Sequence, residues 1–164
     1  MTTTHETNLR VLTPSRKKLR SGDVFAMLPP DGAYLFGRVI HADMAFPGAP
    51  MPGANLVYVY RHRSPDKSPD IDVLRPDDLL LSPQFINRMP WTRGYFETVA
   101  TQPLKPGDLL ERHCFRRSNG EFLDDEGIRM PGPVEPCGDW SLGSYRTIDD
   151  EISDALGIPR VPED

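Results

Sequence analysis

Two apolar runs joined by a turn open the folded part of this chain: Gly22-Asp23-Val24-Phe25-Ala26-Met27-Leu28, then Pro29-Pro30-Asp31-Gly32, then Ala33-Tyr34-Leu35-Phe36-Gly37-Arg38-Val39-Ile40. Strand-forming residues on both sides of a Pro/Asp/Gly turn read as a β-hairpin. Pro30 suits the second position of a type I turn, and Gly32 suits its exit. Along the second run Leu35, Gly37 and Val39 share one face, with Tyr34, Phe36, Arg38 and Ile40 on the other. A glycine inside a strand, here Gly37, marks a close backbone approach or a bend. Such a hairpin starts a strongly curved sheet.

The chain has 164 residues, enough for one domain with a real core. Its 18 prolines and 13 glycines argue for short elements and against a helical bundle. Leu56-Val57-Tyr58-Val59-Tyr60 reads as a third strand and Arg93 to Ala100 as a fourth, with Trp91 at its entry. Leu109 to Arg116 is a further strand candidate. Asp77 to Met89 suits a helical turn or two, bounded by Pro76, Pro83 and Pro90. Between Arg117 and Asp139 the sequence signals little beyond two turns, Asn119-Gly120 and Asp125-Glu126-Gly127, and a long Pro/Gly loop to Cys137. The helix comes last: Thr147 as cap with Asp150 three residues on, then Ile148, Ile152, Ala155 and Leu156 on one face. Asp149, Asp150 and Glu151 are placed in its first turn, and Gly157 ends it.

The expected architecture is therefore α+β: a small, strongly bent antiparallel sheet or partly open barrel, SH3-like in size, with a C-terminal amphipathic helix packed on it. Residues 1–20 are expected to be a flexible basic arm carrying Arg10, Arg16, Lys17, Lys18 and Arg20. Residues 21–158 are expected to form the single domain, and 159–164 a flexible C-terminus.

Chemistry is hard to find in this pattern. His113 and Cys114 are adjacent, while Cys137 and Asp139 are distant, unlike the short paired spacings of structural zinc sites. No nucleophile elbow, phosphate loop or dinucleotide glycine pattern is present. Asp124-Asp125-Glu126 is accounted for by a charged turn. No catalytic, cofactor-binding or metal-binding residue is expected, and the chain is read as a non-enzyme without cofactor. A hydrolase would need His41, His62 or His113 to converge beside acidic groups. With Cys114 and Cys137 its only cysteines, no secretory leader pattern and no membrane-length apolar run, it is expected to be cytoplasmic with reduced thiols.

Two surfaces are candidates for binding a partner. Tyr34, Phe36, Tyr58 and Tyr60, with Arg38, Arg61 and Arg63 nearby, are either a stacking platform for single-stranded nucleic acid or simply core and cross-strand packing. Asp66, Asp70, Asp72, Asp77 and Asp78 form an acidic segment, and Asp124, Asp125 and Glu126 a second. With a formal net charge of -5, these suit a basic partner. The loops Phe46 to Ala54 and Arg61 to Asp72 are where such a surface would diversify.

The run from Lys18 to Val39, containing Gly22-Asp23-Val24-Phe25-Ala26 and Phe36-Gly37-Arg38-Val39, resembles the opening of immunity protein 26 members from bacterial polymorphic toxin systems. Val57-Tyr58-Val59-Tyr60 is similar to that family's third strand. Trp91-Thr92-Arg93-Gly94-Tyr95-Phe96-Glu97-Thr98-Val99 with Gln102-Pro103-Leu104 is similar to its next segment, so the likeness spans roughly residues 18–104. Gly22, Asp23, Phe25, Gly32, Phe36, Gly37, Arg38 and Trp91 are its signature positions. The resemblance implies an α+β domain that binds and neutralises a cognate toxin by covering its active surface. Tyr58, Tyr60, Arg61, Arg63, Asp66, Asp70, Asp72, Asp124 and Asp125 are then the candidate partner contacts. The alternative is a nucleic-acid-associated small β-barrel using Tyr34, Tyr58, Tyr60 and the basic arm.

Overall fold

In the computed structural model, residues 6–44 and 52–162 are described. The opening hairpin forms as its turn chemistry dictates. Strands β1 (Asp23–Met27) and β2 (Tyr34–Met44) pair antiparallel, with Val24 opposite Arg38 and Met27 opposite Leu35. The Gly32 N–H closes the turn on the Pro29 carbonyl at 3.1 Å. Next come β3 (Ala54–Ser64), β4 (Gln84–Ile86), a single helical turn α1 (Met89–Thr92) and β5 (Glu97–Thr101). They are followed by β6 (Cys114–Arg116), β7 (Phe122–Leu123), β8 (Arg129–Met130), β9 (Cys137–Asp139), β10 (Leu142–Gly143) and the helix α2 (Tyr145–Leu156).

These strands make two open sheets, one of six strands ordered β10-β4-β3-β2-β1-β5 and one of four ordered β8-β7-β6-β9. All pairs are antiparallel except β10 with β4 and β6 with β9. Strands in two sheets with a C-terminal helix make the expected α+β class.

The centre of the six-stranded sheet, Asp23–Met27 of β1, Leu35–Ile40 of β2 and Ala54–Tyr60 of β3, is buried on both faces, which is why these stretches are largely apolar instead of alternating with polar residues. Phe25, Met27, Leu35, Val39, Val57 and Val59 lie beneath Leu9, Leu19, Trp91, Phe96, Ile148 and Ile152. Val24, Phe36, Ile40, Tyr58 and Tyr60 lie on the other face with Leu74 and Phe115. The division of β2 into two faces follows the alternation read from its sequence. Phe25 stacks on Phe96 at 4.5 Å and meets the edge of Trp91 at 5.1 Å, an aromatic centre under α2.

Four expectations are corrected. The Asp77–Met89 segment holds no helix before its last residue, where α1 starts; a 3₁₀ turn at Ile71–Val73 precedes it, and Gln84–Ile86 pairs with β3. Pro76 and Pro83 break helical hydrogen bonding there, whereas Asn55, Leu56 and Val57 offer a ladder. Trp91 sits within α1 and does not lead a strand. Helix α2 begins one turn early, capped by Ser144, whose hydroxyl accepts the Thr147 N–H at 3.3 Å. Its first turn therefore carries no acidic residue, although Gly157 ends it in the left-handed conformation, as read.

The last correction concerns the basic arm. From residue 6 to residue 20 it is laid along the domain, with Leu9 and Leu19 buried. Arg10 N–H donates to Leu28, Leu12 N–H to Gly94 and Ser15 N–H to Trp91. On α2 the buried Asp149 carboxylate accepts Asn8 N–H at 3.0 Å and Leu9 N–H at 2.8 Å.

Candidate partner-binding surface

The signature residues are buried, apart from Gly32 in the exposed β1–β2 turn. Asp23 accepts the Arg20 N–H at 2.9 Å and the Thr101 hydroxyl at 2.8 Å, fixing the entry to β1. Gly22 donates to Val39 and accepts from Gln102, in a niche where a Cβ would strike the Gln102 carbonyl. Arg38, read as lying near the tyrosines, is wholly buried. Its guanidinium donates to the Gln102 carbonyl at 2.7 Å and stands 3.3 Å from the Asp108 carboxylate, so the buried charge is paired.

The candidate contacts separate into four groups. Tyr58 and Tyr60 are 0% and 1% exposed, so no nucleic-acid base stacks on them here; alternation placed them on the covered second face. Arg63 is held by Asp31 and by the Ala33 carbonyl. Asp124 and Asp125 belong to the β7–β8 turn, where Asp124 accepts the N–H groups of Glu126 and Ile128.

Arg61, Asp66, Asp70 and Asp72 are exposed, along the end of β3 and the segment that follows it. Asp66 and Asp70 order their own loop by accepting the N–H groups of Ser68 and Asp72. Part of this segment walls a cleft of about 470 Å³, lined by Asp72, Arg75, Asp77, Lys105 and Asp108 among others. The other proposed loop, Phe46 to Ala54, lies outside the described residues up to Met51.

Two of the three histidines named for a hydrolase do converge. His41 Nε2 stands 3.2 Å and His113 Nδ1 3.5 Å from the same Asp125 oxygen. His113 Nε2 meets the Tyr58 hydroxyl at 2.5 Å, and that hydroxyl accepts the Leu110 N–H. A carboxylate only accepts, so neutral His113 carries its proton on Nδ1 and takes the Tyr58 proton's hydrogen bond on Nε2. His62 stacks on Phe36 instead. The bonds to His113 and His41 hold Asp125 well below the usual carboxylate range, while burial pushes the Tyr58 phenol up to about 12. The Tyr58 hydroxyl, buried and hard to ionise, is not an activated nucleophile in this Tyr58–His113–Asp125–His41 network. It ties β2, β3, the entry to β6 and the β7–β8 turn together. Its members are scattered in sequence, and no local pattern announces them.

Cys114 leads β6 and projects toward Cys137, its register partner on β9, with the sulfurs 2.6 Å apart and both thiols free. Among the described residues no group of three or more His, Cys, Asp or Glu is arranged to hold a metal ion. Nor is any helix among them long and apolar enough to cross a membrane.

The family model for immunity protein 26 matches residues 20–120, more than half of the chain. The chain belongs to the immunity protein 26 family. The match covers β1 to β6 and ends in the β6–β7 turn, so this immunity protein 26 member carries β7 to α2 outside the matched range. No curated protein and no solved structure matches the chain.

Proposed function

We propose that this chain is a non-enzymatic immunity protein of a bacterial polymorphic toxin system, which binds its cognate toxin in the cytoplasm and covers the toxin's active surface. Membership of the immunity protein 26 family carries the reading. The six-stranded sheet, packed on both faces, is a rigid support for surface recognition. Tyr58, the one hydroxyl in the histidine–aspartate chain, is buried, which favours binding over catalysis.

The partner-facing surface in this proposal is the segment from Arg61 to Asp78 together with the adjoining cleft. Asp66, Asp70, Asp72, Asp77 and Asp78 are exposed, and only Asp77 is paired with a cation among the described residues. Their field attracts a basic toxin, whose lysine or arginine side chains meet Asp72 on the cleft wall. Co-expression with the toxin encoded beside it tests the function. Growth is restored and the two chains purify together if the reading holds; continued killing with no complex overturns it.

A further inference from the structure

We propose that Cys114 and Cys137 form a reversible intramolecular disulfide that fastens the edge strand β9 to β6. The two are direct register partners in a parallel ladder. Neighbouring strands run about 4.8 Å apart, within the roughly 4.4–6.8 Å between α-carbons that a disulfide spans. The two sulfurs already face each other at 2.6 Å, so no backbone movement is needed to bring them together.

Access comes from one side. β9 is the edge of the four-stranded sheet, and Cys137 is partly exposed while Cys114 is buried. A cleft lined by Leu110, Glu111, Arg112, Val134 and Glu135 opens beside the pair. Val134 N–H donates to Cys114 Sγ at 3.4 Å, and Glu135 accepts the Cys137 N–H at the same distance. A small disulfide reagent therefore meets Cys137 first.

The oxidant is a low-molecular-weight disulfide such as oxidised glutathione. Cys137, once deprotonated by solvent, attacks one sulfur of the reagent; that S–S bond breaks and its electron pair leaves on the first thiolate. Cys114 then attacks Cys137 Sγ, forming the protein disulfide and expelling the second thiolate. Two protein thiols lose two electrons, the reagent gains them, and the two thiol protons end on the two departing thiolates. Burial and the neighbouring Cys114 push the Cys137 thiol above its ordinary range, which slows the first step near neutrality.

The bond completes a short ladder. β6 and β9 pair over three residues, and the Trp140 N–H bonds to the Arg116 carbonyl at the far end. Oxidation closes the chain around β7, β8 and Asp125, and links a residue inside the family match to one beyond it. This proposal stands apart from the toxin reading.

The test incubates the full chain in glutathione buffers from reducing to oxidising, alkylates the remaining thiols and weighs the product. The expected product under oxidising conditions is a monomer lighter by two hydrogens, with no thiol left to alkylate. Proteolysis then yields peptides joined through Cys114 and Cys137, and dithiothreitol reverses the change. The Cys137→Ser chain forms no such species. Two thiols still open to alkylation, a persistent glutathione adduct, or a disulfide-linked dimer in place of the internal bond would each overturn the proposal.

Discussion

The ring of Phe25 fills the space that a Cβ on residue 37 would need, so β1 and β2 close on each other only because position 37 is glycine. The Tyr58 carbonyl crowds the same point from β3, at 2.7 Å. Gly37→Ala forces either the aromatic centre or the β2–β3 pairing to shift. We expect a loss of about 1–3 kcal/mol, the usual cost of overpacking, seen as a lower urea midpoint with an unchanged slope. A stability equal to the parent would mean that Phe25 does not lie across this position.

Asp108 compensates the buried Arg38 guanidinium at 3.3 Å. Removing it with Asp108→Ala leaves a cation in the core and is expected to cost about 3 kcal/mol, as for other broken buried pairs. Arg38→Met with Asp108→Ala removes the stranded charge and should recover part of that loss in chemical denaturation.

Asp149 anchors the N-terminal segment through two backbone N–H groups. Asp149→Ala leaves both donors without their acceptor and is expected to cost about 2 kcal/mol. Limited trypsin digestion reads the local effect: cleavage at Arg10, Arg16 and Lys17 accelerates while α2 stays protected. Uniformly faster cleavage throughout would show that the carboxylate supports the whole domain.

Asp125 gives a pH signature. Its carboxyl titrates below the ordinary 3.8 because His113 and His41 stabilise the charged form. A depressed folded value means that the unfolded chain takes up the proton first as pH falls. The stabilising contribution is therefore present above about pH 4 and is lost as pH drops below 3.8 toward the folded value. Asp125→Asn should be less stable than the parent at neutral pH, with the two converging under acid in thermal melts. A gap that widens on acidification would contradict the assigned partners.

Much of the fold was legible because it rests on local patterns. β1, β2 and their turn, the centre of β3 and the stop of α2 at Gly157 follow from residues close in sequence. The two- and three-residue strands β4 and β7 to β10 were not legible, since each is defined by its partner and not by its own composition. The ordered N-terminal segment was missed for the same reason: its anchor, Asp149, lies at the other end of the chain. Ser144 and Thr147 are both good caps one turn apart, and the sequence does not rank them. The tyrosines of β3 were open to two readings until the covering of the second face by Leu74 and Phe115 decided for the core.

The acidic segment yields a binding prediction. Asp72 and Asp78 are exposed, and neither side chain bonds to its own loop among the described residues. Replacing both with lysine should leave the melting temperature unchanged while slowing association with the toxin about tenfold at low salt, by reversing the steering field. Equal association rates for parent and variant would place the interface elsewhere.

Calorimetric titration of the purified chain with the cognate toxin domain proposed above, with toxin activity followed in the same samples, tests the central claim most directly. The account requires a saturable, sub-micromolar complex in which toxin activity falls in step with occupancy. No heat of binding at micromolar concentrations, or a toxin that stays fully active when saturated, would contradict it.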